Sequence, residues 1–248
     1  MKARTKGWAW ALLQVGVLAA EILLVLFLLA QPALRTRSVT VTGATHESVA
    51  AVRQALSLPS DRSIFLVNTA ALAARVGSLP WVRRADVALV LPDRVTVRIT
   101  EWVPAAVLTV GERSYYLDQL GRVLGPADEA GPLPVIGRPP SGEVRAGEQV
   151  LDPALLGLLP QIQQGFPQAY GVRVLSFSLD KDAMFSLRTD RGWTIIFGQM
   201  ATADQFASLT PKLGALRAVS SRVNLTSAPI SYINVMNPRA PAVQLRTR

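Results

Sequence analysis

The chain has no cysteine and a single histidine, and these two absences remove most of the chemistry a protein of this size could carry. Without cysteine there is no disulfide framework, no thiolate nucleophile and no cysteine-based zinc site. His46-Glu47 lacks the second histidine of a metalloprotease helix, so His46 reads as a solvated residue at a helix opening. Asp180, Asp182 and Asp190 lack the loop glycine and closing glutamate of a calcium loop and read as turn carboxylates. Gly198 and Gly214 stand alone, which leaves no glycine loop to cradle a phosphate. Ser178-Leu-Asp-Lys181 has a Ser-x-x-Lys spacing, but it sits where a strand ends rather than where a helix starts, and neither Ser-Asp-Asn nor Lys-Thr-Gly follows it. No enzyme activity, metal, cofactor or small-molecule substrate is expected from this inventory.

Acidic residues are also scarce: 17 against 26 lysines and arginines, a formal charge of +9. Such an excess can serve nucleic acid or anionic lipid. Here Arg94, Arg98, Arg138, Arg173, Arg188 and Arg217 are scattered through patterned segments, which favours a solvated surface over a nucleic-acid interface.

What the chain does have is one long apolar run, Trp8 to Ala30, broken only by Gln14 and Glu21. At about 1.5 Å per residue this is roughly 34 Å of helix, enough to cross a bilayer core of about 30 Å. A cleaved signal peptide has a shorter apolar core and a small-x-small site, which Ala30-Gln31-Pro32-Ala33 fits poorly. Lys2, Arg4 and Lys6 precede the run and Arg35 and Arg37 follow it, a narrow bias toward a cytoplasmic N-terminus. Glu21 lies near mid-membrane, where an ionised carboxylate is costly. It is either a contact to a polar group on a neighbouring transmembrane helix or a tolerated neutral side chain.

Beyond the run, Ser38–Thr42 alternates as a strand does and Gly43 ends it. A helix capped by Thr45 follows, with Val49, Val52 and Leu56 on one face, and Leu58-Pro59-Ser60-Asp61 breaks it. Asn68 caps a second helix carrying Leu72 and Val76, with Gly77 as a left-handed stop before Pro80. Val82–Leu91 and Arg94–Glu101 are strands around the turn Pro92-Asp93, so the unit is β-α-α-β-β with two helices on one sheet face.

In the second half, Val107–Val110, Ser114–Leu117 and Arg122–Leu124 read as short strands. Pro126 to Glu148 reads as surface connections. Asp152-Pro153 opens a helix through Gln164, with Leu155, Leu158, Leu159 and Ile162 apolar. Val172–Leu179, Ala183–Thr189 and Trp193–Phe197 form a meander. Thr202 and Gln205 have capping-box spacing for a last helix carrying Phe206, Leu209, Leu213 and Leu216, which Pro211 should bend or divide. Ile230–Met236 and Ala242–Arg246 close the chain as strands.

Several of these segments closely resemble the bacterial cell-division family FtsQ, called DivIB in Gram-positive bacteria. They are Ser63–Asn68 (SIFLVN), Leu79–Val87 (LPWVRRADV), Leu91–Ala106 with its Glu-x-x-Pro, the Asp118-x-x-Gly121 hairpin, Leu133–Gly137 and Gly192–Gly198 (GWTIIFG). The terminal pattern Ser231–Gln244 also matches, except that Asn234 stands where the family usually has Asp. The resemblance implies a membrane-anchored α+β protein: one N-terminal transmembrane helix, a β-α-α-β-β POTRA domain, and a mixed α/β domain with a strand meander. The implied divisions are residues 1–7 as cytoplasmic tail, 8–31 as transmembrane helix, 36–104 as POTRA domain and 105–248 as the FtsQ-type β domain.

The implied role is a non-catalytic scaffold of the division machinery in the cytoplasmic (inner) membrane, with its bulk outside the cytoplasm and concentrated at the septum. Partners implied by the resemblance are FtsB- and FtsL-type membrane proteins, with FtsK-type proteins through the POTRA domain, alongside the lipid bilayer. The partner would add a strand at the terminal edge, where Asn237, Arg239, Val243 and Leu245 are the expected contacts. Pro238 and Pro241 depart from many members and would equally suit a protected edge. POTRA domains also occur in transport and assembly modules of the envelope, the alternative reading. Those proteins carry a cleaved signal and many barrel strands, unlike this pattern.

Overall fold

The computed structural model describes residues 4–58, 63–139 and 142–246, and they divide into two compact units, Met1–Glu101 and Trp102–Arg248. The break expected at Pro59-Ser60-Asp61 and the side chains of Lys2, Arg4 and Lys6 lie outside the described residues.

Helix α1 runs Arg4–Ala30. Its contiguous described side chains, Leu13 to Phe27, are all exposed, Glu21 among them. Among the described residues no helix is long and apolar enough to cross a membrane.

The rest of the first unit is a three-stranded sheet in the order β1-β3-β2, from β1 (Ser38–Thr42), β2 (Val82–Val90) and β3 (Arg94–Glu101). β1 runs parallel to β3, and β2 antiparallel to it. Alternation puts Val95, Val97 and Ile99 on one face, where α2 (Val49–Leu56) and α3 (Thr69–Gly77) contribute Val52, Leu56, Leu72 and Val76 to a single core. This is the β-α-α-β-β arrangement read from the sequence.

Local details differ from that reading. The cap of α2 is Ser48, whose side chain accepts from the Ala51 N–H, and Val49 in the first turn stays exposed. Thr45 instead belongs to a loop held from outside the helix, as described below. Gly77 is the last residue of α3 in an ordinary helical conformation. The stop comes from Ser78, whose Oγ donates to the Arg75 carbonyl at 2.7 Å. Gly43 is required where it stands: its φ is +82°, and a Cβ there would collide with the Ile99 carbonyl oxygen.

The second unit is built on one nine-stranded sheet in the order β12-β11-β10-β9-β8-β7-β4-β5-β6. Its first strands are β4 (Ala106–Val110), β5 (Arg113–Leu117), β6 (Val123–Pro126) and β7 (Val135–Arg138). β8 (Val174–Leu179), β9 (Met184–Thr189) and β10 (Thr194–Gln199) follow as the expected antiparallel meander. Phe177, Phe185, Leu187, Ile195 and Phe197 belong to one buried cluster with Leu155, Leu159 and Phe166 of α4 (Pro153–Tyr170) and Leu216 of α6 (Leu209–Ser220).

Helix α4 continues to Tyr170, beyond the expected end at Gln164, and stops at Gly171 with φ +69°. Gly165 is a poor helix former, but Phe166 beyond it is buried, and that packing outweighs the local preference. The expected last helix is divided. α5 (Ala203–Ala207) carries the complete Thr202–Gln205 capping box, and α6 restarts after Ser208 with Pro211 in its first turn, where a proline costs least.

Candidate functional site

The predicted contact residues gather at the end of the large sheet. β11 (Ile230–Asn234) lies parallel beside β10, and β12 (Ala242–Leu245) returns antiparallel along its outer side as the terminal strand of the sheet. The Arg246 N–H donates to the Pro229 carbonyl at 2.7 Å, which turns that residue's donor inward. Alternation then turns the N–H groups of Ala242 and Gln244 toward β11 and leaves those of Val243 and Leu245 on the open edge.

Side chains follow the same period. Val243 stands opposite Ile233 and packs half-buried against the core, whereas Leu245 at the strand end is 49 % exposed. On the other face Tyr232 stands opposite Gln244, and both are exposed.

The turn into β12 is built from side-chain amides. Asn234 Oδ1 accepts the Met236 N–H at 2.9 Å, so the residue standing in place of the usual Asp keeps a structural hydrogen bond that needs no charge. Asn237 repeats the device, its Oδ1 accepting the Arg239 N–H at 3.0 Å. Pro238 and Pro241 both fall within this turn, outside β12, so the strand's own donors are intact.

Pro238, Arg239, Ala240, Pro241 and Val243 face Ala215, Ala218 and Val219 of α6, with Arg222 and Val223 just beyond its end, across a groove of about 520 Å³. The structure therefore brings Arg239 and Val243 into one groove, with Asn237 and Leu245 outside its lining. The α6 residues were not singled out from sequence. Their signal was the pair of small residues Ala215 and Ala218 on a helix read only for its buried face.

The residues screened as chemical candidates take structural places. Ser178 is exposed on β8, and Lys181 is in the turn after it. Asp180 Oδ1 accepts the N–H groups of Asp182 and Met184, both at 2.8 Å, which makes it a turn carboxylate. Asp190 accepts from the Arg173 N–H and Nε. Burial works to raise its pKa, but these bonds and the charges of Arg173 and Arg191 outweigh it and hold the carboxyl below its ordinary value. His46 is engaged on both sides, by Glu101 and by Trp81.

Residues 34–102 match the family described as POTRA domain, FtsQ-type, and residues 105–235 match that described as cell division protein FtsQ/DivIB, C-terminal. The chain belongs to the FtsQ/DivIB family of cell division proteins. It is similar to the cell division protein FtsQ of Chloroflexus aggregans, 26 % identical over 233 residues that cover 94 % of this chain and 81 % of that one. It is 29 % identical over 198 residues to the FtsQ of Mycobacteroides abscessus, covering 80 % of this chain and 60 % of the relative. The FtsQ/DivIB match ends at residue 235, so β11 lies within it, and β12 with all four predicted contact residues lies after it.

Proposed function

We propose that this FtsQ/DivIB protein is a single-pass, non-catalytic scaffold of the division machinery that recruits FtsB- and FtsL-type membrane proteins at the free edge of β12. The observation that carries the reading is that edge: a terminal strand with one neighbour, whose Val243 and Leu245 backbone groups face outward. An extended partner segment can add there as a further strand, gaining main-chain bonds from the edge and selectivity from alternate side chains. The groove against α6 lies beside the turn that leads into this strand and offers an apolar wall with Arg239 and Arg222 on it. An acidic segment of the partner suits those two guanidinium groups.

Anchoring is part of the same reading. α1 is 27 residues long, or roughly 40 Å at about 1.5 Å per residue. Leu13 through Phe27, apolar but for Gln14 and Glu21, are exposed on every side of the helix, and such a surface is best accommodated in an apolar surrounding. The N-terminus would face the cytoplasm, with both folded units on the outer side and the protein concentrated at the septum. Glu21 is then a contact for a polar group on a partner's transmembrane helix, and FtsK-type proteins are partners of the POTRA unit.

The test is co-purification of the full chain with FtsB- and FtsL-type partners from membranes, repeated with the chain ended before Ala242. The full chain should retain the partners and the shortened one lose them. Equal retention would sink the edge mechanism, and division proceeding normally in depleted cells would sink the scaffold role.

A further inference from the structure

We propose that the end of the POTRA unit nearest α1 sits in the outer headgroup layer of the membrane, with Phe65, Leu66, Val90 and Leu91 inserted as an apolar collar around the emerging chain. The inference rests on the proposal that α1 spans the bilayer, and it adds a second contact between the protein and lipid.

The chain leaving α1 is bonded to its own domain rather than left as a free linker. Pro32–Leu34 form a 3-10 turn whose Pro32 carbonyl accepts from the Arg35 N–H, and Arg37 Nη2 donates to the same carbonyl at 3.3 Å. Arg35 bridges to Ser63, Thr36 is buried, and the Arg37 N–H donates to the Asp93 carbonyl at 2.9 Å. Two sites on the POTRA unit are therefore fixed within a few residues of Ala30: the turn Ile64–Leu66 and the tip between β2 and β3. Arg35 is five residue steps beyond Ala30, an extended reach of at most about 17 Å. The 3-10 turn shortens this further, to the scale of a headgroup layer.

Both sites present apolar side chains to the outside. Ile64 is buried, but the two residues after it in the same turn, Phe65 and Leu66, are 53 % and 51 % exposed. At the hairpin tip Val90 and Leu91 are 46 % and 61 % exposed. Among the described residues of this unit outside α1, the only other large apolar side chain so exposed is Val49. Four of the five thus flank the two places where the emerging chain is bonded down.

The charge at this end matches a bilayer of anionic lipid. Arg35 and Arg37 are exposed on the emerging chain, and Arg94 is exposed where β3 begins, in register with both Ser38 and Val90. Against Asp93 alone among the nearby described residues, these three guanidinium groups leave the collar positive. Apolar side chains ringed by arginines are the pattern of an interfacial membrane contact. The opposite end of the sheet, where Val82 pairs with Glu101, also exposes Arg83 and Arg84, but among the described residues it lacks such a cluster of exposed large apolar side chains.

The absence of cysteine makes the test direct, since any introduced cysteine is unique. Full-length chains carrying Phe65→Cys, Leu91→Cys, Ala50→Cys or Val17→Cys are spin-labelled and reconstituted in vesicles containing phosphatidylglycerol. Collision rates with oxygen and with a water-soluble nickel chelate are then compared. Labels at 65 and 91 should show a several-fold higher oxygen-to-nickel ratio than the label at 50, which lies on the first turn of α2. The proposal is overturned if 65 and 91 read as aqueous while 17 reads as membrane-buried. If 17 also reads as aqueous, the spanning helix itself fails and the collar fails with it.

Discussion

His46 lies flat on Trp81, ring centroids 4.3 Å apart and planes 8° from parallel, while its Nδ1 sits 2.9 Å from Glu101 Oε2. A carboxylate can only accept, so this nitrogen carries the proton. Glu101 also accepts the backbone N–H groups of Thr45, His46 and Glu47 at 2.8–3.0 Å, closing the loop between β1 and α2. Its side chain is only 9 % exposed. Replacing it by Gln removes the charge and one acceptor while leaving donors on a partly buried loop, a cost of about 1–3 kcal/mol. Urea unfolding of Glu101→Gln against the parent chain measures this, and an unchanged midpoint would show that the loop holds itself.

The same carboxylate sets an acid limit. Burial works to raise the pKa of Glu101, but the bonds from Glu47, His46 and Thr45 together outweigh it, and the net value lies below the ordinary 4.5. A carboxyl with a depressed folded-state pKa contributes stability above its unfolded pKa and loses it as pH falls through the folded value. Asp190 in the other unit behaves alike, lowered through Arg173 and Arg191. The first unit should therefore hold constant stability near neutrality and weaken below about pH 4.5, and the second below about pH 3.8. Fluorescence-detected denaturation across that range reads the effect, and Glu101→Gln should flatten it.

The Asp118-x-x-Gly121 hairpin is held by a fully buried carboxylate. Asp118 Oδ1 accepts the N–H groups of Leu120 and Arg122 at 2.8 and 2.9 Å, and Oδ2 accepts Arg122 Nε at 2.9 Å. Gly121 has φ +76°, and a Cβ there would run into the Leu151 carbonyl oxygen, so the hairpin and the segment before α4 share one contact. Gly121→Ala is expected to cost more than the ~1 kcal/mol of an average substitution, since it combines a strained φ with a backbone collision. Asp118→Ala should cost a further few kcal/mol by leaving buried donors unpaired. Thermal melts of the two variants rank them, and a Gly121→Ala chain as stable as its parent would contradict the geometry.

These two clusters show how much the sequence disclosed. The motifs Leu-Pro-Trp-Val, Glu-x-x-Pro and Asp-x-x-Gly were legible as local signs of turns and strand ends, and the element order followed from periodicity. That Trp81 and Glu101 converge on His46 was hidden, because the three are joined through a strand pairing between distant segments rather than by spacing. His46 therefore read only as solvated, and its side chain is 50 % exposed, but its two partners were missed; Thr45 read as a cap that Ser48 in fact supplies. The end of α4 was misplaced for a related reason: Gly165 and Pro167 are stop signals locally, and the burial of Phe166 overrides them. Pro211 was readable because its effect, a missing donor, is local.

At the terminal edge, proline substitution separates inward from outward donors. Leu245→Pro removes an N–H that faces the open side, whereas Gln244→Pro removes one directed at β11 opposite Tyr232. If a partner strand adds at β12, Leu245→Pro should lower partner retention by about tenfold, the equivalent of ~1.4 kcal/mol, with little change in the melting of the chain. Gln244→Pro should damage both. Retention unchanged in Leu245→Pro while Gln244→Pro merely unfolds the edge would place the contact on side chains instead of the backbone.

Glu21 offers an independent handle on the same assembly, because it lies in α1 and outside both folded units' cores. Glutamate and glutamine have similar shapes and both can hydrogen-bond, whereas leucine is apolar. If Glu21 contacts a polar group on a partner helix, Glu21→Gln should keep most of the association and Glu21→Leu should lose it, by an amount near the 1–2 kcal/mol typical of interhelical hydrogen bonds in membranes. If Glu21 is only tolerated, Glu21→Leu should associate as well as the parent and insert more readily, since it relieves a polar group in the apolar run. Co-purification of each variant, with Leu245→Pro in parallel, tells a loss within the membrane from a loss at the sheet edge. A double variant no weaker than the worse single one would mean that the two contacts form as one unit.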